Sequence, residues 1–104
     1  MQRPHQDERF ASALGAAAAE FINRESNRSS LITVTRVEVV SESKKAHIYV
    51  SVYPPHELRA VIDFLSRQRQ EFLRFMRTKT ALHMLPYVDF LPDPDIGVDG
   101  NASA

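Results

Sequence analysis

The residues best equipped for a chemical task in this chain are basic. Arg67, Arg69, Arg74, Arg77 and Lys79 fall within thirteen positions that hold a single acid, Glu71. Lys44 and Lys45 form a second basic point. A guanidinium can meet phosphate oxygens bidentately, so several of them on one rigid element suit a polyanionic chain. Such contacts position a nucleic acid without reading its sequence. On a helix, Arg67, Arg74 and Arg77 cluster on one side, although the same pattern also describes the solvated face of an ordinary amphipathic helix.

Other chemistries find less support. The chain has no cysteine, which excludes disulfides, thiolate nucleophiles and sulfur-based zinc sites. His5, His47, His56 and His83 are scattered, with no pair at the helical spacing of a metal-binding motif. No dinucleotide fingerprint, Walker-type loop or nucleophile elbow occurs, and three glycines in all make a phosphate cradle hard to build. Asp89, Asp93 and Asp95 read as part of a solvated acidic terminus. Neither a cofactor nor an enzymatic activity is expected.

The 104 residues fit one domain, and the apolar fraction of 43% is ordinary for a globular fold. Formal net charge is zero, so it is the distribution of charge that carries information. Basic residues gather before position 80, while Asp89, Asp93, Asp95 and Asp99 crowd the last sixteen positions. No apolar run approaches the length of a membrane span, and Met1–Phe10 is too polar for a signal peptide. A cytoplasmic home is expected, and the sequons at Asn27 and Asn101 then carry no meaning.

The elements that must position these side chains follow from periodicity. Phe10, Leu14, Ala17, Ala18, Phe21 and Ile22 form one helical stripe. The segment Leu31–Val40 is rich in Thr and Val, which suits a half-buried strand. After a short polar loop, Ala46, Ile48, Val50 and Val52 alternate with His47, Tyr49, Ser51 and Tyr53. That alternation makes the pair an antiparallel hairpin with one buried face. Tyr49 and Tyr53 on its outward side could stack on bases.

Pro54 and Pro55 end the second strand, and Leu58, Val61, Ile62 and Leu65 begin a new helical stripe. The stripe is broken by Gln68 and Arg69 and resumes at Phe72, Leu73, Phe75 and Met76, which predicts two helices or a kink between Arg67 and Glu71. A last strand is expected from His83 or Pro86 to Leu91, with Val88 and Phe90 inward. Residues 93–104 read as a flexible tail and residues 1–8 as another, leaving 9–92 as the domain.

With these residues in place, the chain resembles ribosome-binding factor A. The likeness is carried by Val34-Thr35-Arg36-Val37-Glu38-Val39-Val40-Ser41, by Ala46-His47-Ile48-Tyr49-Val50-Ser51-Val52, and by Phe72-Leu73-Arg74 followed by Leu82, Leu85-Pro86 and Phe90. It implies an α+β, type II KH-like domain in the order α-β-β-α-(kink)-α-β, a three-stranded sheet with the helices on one face. It also implies a non-enzymatic assembly factor that binds 16S rRNA of the small (30S) ribosomal subunit and assists its late maturation, with a maturation GTPase as a further partner. A monomer is expected. The family's small Ala-x-Gly kink is replaced here by Arg69-Gln70-Glu71, so long side chains take the place of close backbone approach. The alternative is a protein-interaction module that uses a hairpin edge for β-augmentation or dimerisation.

Overall fold

The computed structural model describes residues 4–25, 30–40, 44–79 and 86–94, with side chains from Glu8 onward. Leu82, His83 and Leu85, the loop residue Glu42, and Asp95 and Asp99 lie outside the described residues. The first helix, α1 (Pro4–Glu25), starts earlier than the expected boundary at residue 9. Proline at a helix start costs nothing, because its missing N–H would be unsatisfied there and its φ is already helical. Part of the segment read as a tail is therefore helical. The stripe of α1 is buried as its spacing predicts, with Leu14, Ala18 and Phe21 inaccessible to solvent.

Strand β1 (Leu31–Val40) pairs antiparallel with β2 (Lys45–Tyr53), and β3 (Tyr87–Pro92) lies parallel to β2, giving the order β1-β2-β3. A bulge in β1 between Val34 and Arg36 leaves Thr35 without a cross-strand partner. This extra residue reverses the parity of the strand. Ile32 and Val34 before the bulge and Val37 and Val39 after it all reach the same helical layer. α1 packs on β1 closely enough that a Cβ at Gly15 would stand 3.2 Å from Val37 Cγ2.

A short 3-10 turn at Pro55–Glu57 leads into α2 (Leu58–Arg67) and α3 (Arg69–Lys79). The break between the helices is one residue wide. Gln68 has φ −90° and ψ 6°, its N–H is shared between the Phe64 and Leu65 carbonyls, and its own carbonyl accepts from Phe72 N–H at 2.9 Å. The kink expected between Arg67 and Glu71 is thus centred on Gln68. Phe72 joins three elements: its ring lies 5.4 Å from Phe21 on α1 and 5.6 Å from Phe90 on β3, both edge-on. Ala46, Ile48, Val50, Val88 and Phe90 from the sheet close the core. Among the described residues, the hydrophobic contacts of the sheet with the helices use this face, and the opposite face carries Lys45, His47, Tyr49, Tyr87 and Asp89.

Candidate nucleic-acid interface

The structure separates the basic residues by role. Arg67, Arg74 and Arg77 are exposed on the helical layer. Among the described residues Arg67 and Arg77 have no ion pair, and Arg74 pairs with Glu71 one turn away. That pair is more than half exposed on both sides, so it stabilises little and leaves Arg74 available to an anion. Lys79 reaches Glu20 of α1 at 3.2 Å, and its ammonium lies 5.2 Å from the Phe75 ring centroid. It ties two helices together while remaining exposed.

Arg69 has the most internal partners of the set. Its Nε donates to the Val88 carbonyl at 2.6 Å, Nη2 donates to Asp89 Oδ1 at 3.0 Å, and the guanidinium carbon sits 4.7 Å from the Tyr87 ring centroid. The polar interruption of the apolar stripe is explained by this contact, since Arg69 falls where the stripe would meet β3 and turns along the strand instead. In a parallel ladder alternate residues bond to the neighbouring strand. Tyr87 N–H donates to the Lys44 carbonyl and Asp93 N–H to the Val50 carbonyl, so Val88 turns its carbonyl to the open edge, where Arg69 meets it.

Lys44 and Lys45 stand at the other side of this contact. Lys44 holds a positive φ of 55° and passes its carbonyl to Tyr87, and Lys45 is the direct partner of Tyr87 across β2 and β3. Both lysines are exposed and, among the described residues, neither has an ion pair. The helix break and the hairpin end are therefore joined through Arg69 and Tyr87. Arg74 and Arg77 lie one to two turns further along α3.

The outward tyrosines differ. Tyr49 donates its hydroxyl to Glu38 Oε1 at 3.2 Å, and Arg36 covers its ring at 4.2 Å. Its hydroxyl is engaged within the sheet and the residue is only partly exposed. His47 Nδ1 approaches the same Glu38 oxygen at 3.3 Å. Hydrogen bonds from His47 first and Tyr49 second hold the Glu38 carboxyl below its ordinary range. Burial, followed by the bond to Glu38, raises the Tyr49 phenol. Tyr53 is 70% exposed opposite Leu31, and Tyr87 is 50% exposed. In the sequence Tyr87 carries no motif of its own, and only its outward parity beside Val88 and Phe90 marks it.

Asp93, expected to open a solvated flexible tail, is only 5% exposed. The Thr35 hydroxyl at the bulge donates to its Oδ2, and Arg36 Nε stands 4.0 Å away. The folded body thus extends to Asp93, because the bulge supplies a hydroxyl donor and a cation that offset the cost of burying a carboxylate. Among the described residues no group of His, Asp or Glu could hold a metal ion, and no helix is long and apolar enough to cross a membrane.

No family model matches the chain. It is 30% identical over 95 residues to ribosome-binding factor A of Carboxydothermus hydrogenoformans, a match spanning 88% of this chain and 76% of that protein. The crystal structure of ribosome-binding factor A from Thermus thermophilus superposes with a TM-score of 0.74 at 23% identity, covering 83% of this chain and 93% of that one. A solution structure from Thermotoga maritima, assigned as a ribosome binding factor A, gives a TM-score of 0.70 at 22% identity, covering 86% and 89%. These two likenesses establish the α+β, KH-like architecture, with its three-stranded sheet and helices on one face. Identity of 30% across most of both sequences, on that same architecture, places the chain in the ribosome-binding factor A family.

Proposed function

We propose that this protein is an assembly factor that binds 16S rRNA of the small (30S) ribosomal subunit and assists its late maturation. The observation that carries the reading is the 30% identity, over 95 residues, with a relative named for ribosome binding. Its physical support is the exposure of Arg67, Arg74 and Arg77, which offers guanidinium groups on the helical layer to phosphate oxygens. Lys44 and Lys45 add a second point of contact, and Lys79 adds a further exposed cation at the end of α3.

The protein acts without bond chemistry. By binding one rRNA conformation in preference to others it shifts the population toward that conformation, in proportion to the difference in affinity. It works as a monomer in the cytoplasm, and a maturation GTPase assists its departure. Strand addition is the less favoured reading, because the Val88 carbonyl at the β3 edge is taken by Arg69 and the β1 edge is bent by its bulge.

Salt dependence tests the RNA contact separately from strand pairing. Binding through several phosphates weakens steeply as salt rises, and pairing between strands does not. Affinity for purified small subunits that is indifferent to salt speaks for the second reading.

A further inference from the structure

The sheet face away from the helices carries all three tyrosines of the chain, and only one has the surroundings of a nucleobase platform. Tyr49 is only partly exposed, and its hydroxyl is bonded to Glu38. Tyr53 is exposed beside Leu31, and among the described residues its cross-strand partner is that leucine rather than a lysine or arginine. Tyr87 is half exposed, its strand partner is Lys45, and its backbone amide is held by Lys44. Arg69 stacks on the ring from the side of the helix break, anchored in turn by Val88 and Asp89.

We infer that Tyr87 is the stacking platform for one unpaired nucleobase, with Lys44 and Lys45 holding the adjoining phosphates. This inference rests on the RNA-binding reading and specifies the substrate as single-stranded. An aromatic ring on a flat sheet reaches a base only when that base is splayed out of a helix, since paired bases are covered by their neighbours. Stacking accepts any base, which suits a protein that positions RNA rather than reading it. Arg69 makes the platform effective by fixing the ring beforehand, so little rotamer freedom remains to be lost on binding. Asp89 beside it does not repel the RNA backbone strongly, because its carboxylate is already paired with Arg69. Two exposed ammonium groups lacking ion pairs among the described residues supply the opposite charge where the flanking phosphates fall.

The test is fluorescence anisotropy with an end-labelled oligoadenylate, as a single strand and annealed to oligouridylate, against the full chain and its variants. Wild-type protein is expected to prefer the single strand. Tyr87→Ala weakens single-strand binding by about tenfold, the scale of one lost base stack. Tyr87→Phe retains it, Tyr53→Ala leaves it unchanged, and circular dichroism confirms that each variant is folded. The salt slope of Tyr87→Ala stays at the wild-type value, whereas Lys45→Gln lowers it by about 0.7, one single-strand phosphate. Tyr87→Ala binding as tightly as wild type overturns the inference, and so does Tyr87→Phe binding as weakly as Tyr87→Ala. If Arg74→Glu weakens RNA binding while Tyr87→Ala does not, the platform falls and the RNA-binding reading stands. Wild-type protein that binds neither oligonucleotide nor small subunits overturns both.

Discussion

Arg69 closes the open edge of β3: its Nε meets the Val88 carbonyl at 2.6 Å. One side chain thereby satisfies an edge-strand acceptor, neutralises Asp89 and holds the Tyr87 ring. Arg69→Ala is expected to destabilise the fold by about 1–3 kcal/mol, the range for losing charge-assisted hydrogen bonds in a partly buried setting. Urea unfolding followed by circular dichroism measures this. Arg69→Lys recovers only part of it, because an ammonium cannot bond the carbonyl and the carboxylate in the same planar geometry.

Thr35 and Asp93, far apart in sequence, meet at the β1 bulge. Asp93→Ala and Thr35→Val should each cost about 1–3 kcal/mol, since each removes one end of this part-buried hydrogen bond. Because both changes break one bond, the double variant should cost clearly less than their sum, by about 0.5–3 kcal/mol. Denaturation midpoints of the four proteins measure the coupling.

Phe72 is the joint between α1, α3 and β3. Phe72→Ala removes a fully buried ring from that joint and should cost about 3–5 kcal/mol. In a domain of this size that is a large share of the total stability, so the thermal midpoint should fall by well over ten degrees.

The outer sheet face predicts a pH profile with two limbs. Glu38 has a lowered folded pKa, so its contribution is present above the unfolded carboxylate range and is lost as pH falls through the folded value. Tyr49 has a raised folded pKa, so its contribution is present below the unfolded phenol range and is lost as pH rises through the folded value. Glu38→Gln should flatten the acid limb of stability against pH, and Tyr49→Phe the alkaline limb. Thermal midpoints recorded across the range show whether each variant changes its own limb.

Much of the architecture is visible in local pattern. The bounds of β1 coincide with the Thr- and Val-rich run, β2 begins one residue before its alternation, and the polar gap at Gln68 and Arg69 marks the helix break. These features depend on neighbours a few positions away, which a sequence displays directly. Arg69 bonding Val88 and Thr35 bonding Asp93 depend on partners brought together by folding, so Arg69 reads in the sequence as one more free cation and Asp93 as part of a tail. The bulge is intermediate: Ile32 and Val34 have one parity and Val37 and Val39 the other, a shift that only the register makes plain. Within the candidate interface, the exposure of Arg67, Arg74 and Arg77 follows from helical spacing, whereas the place of Tyr87 beside Lys44, Lys45 and Arg69 needs the parallel pairing of β2 with β3.

Binding of rRNA through the helical arginines is decided by sedimentation with purified small ribosomal subunits, comparing the wild-type chain with Arg74→Glu/Arg77→Glu. The two arginines are exposed, so the double variant should remain folded. The wild type is expected to co-sediment at low salt and to be released as salt rises, and the double variant is expected to stay in the supernatant. Wild-type protein that fails to co-sediment, or a double variant that co-sediments equally well, contradicts this mode of binding.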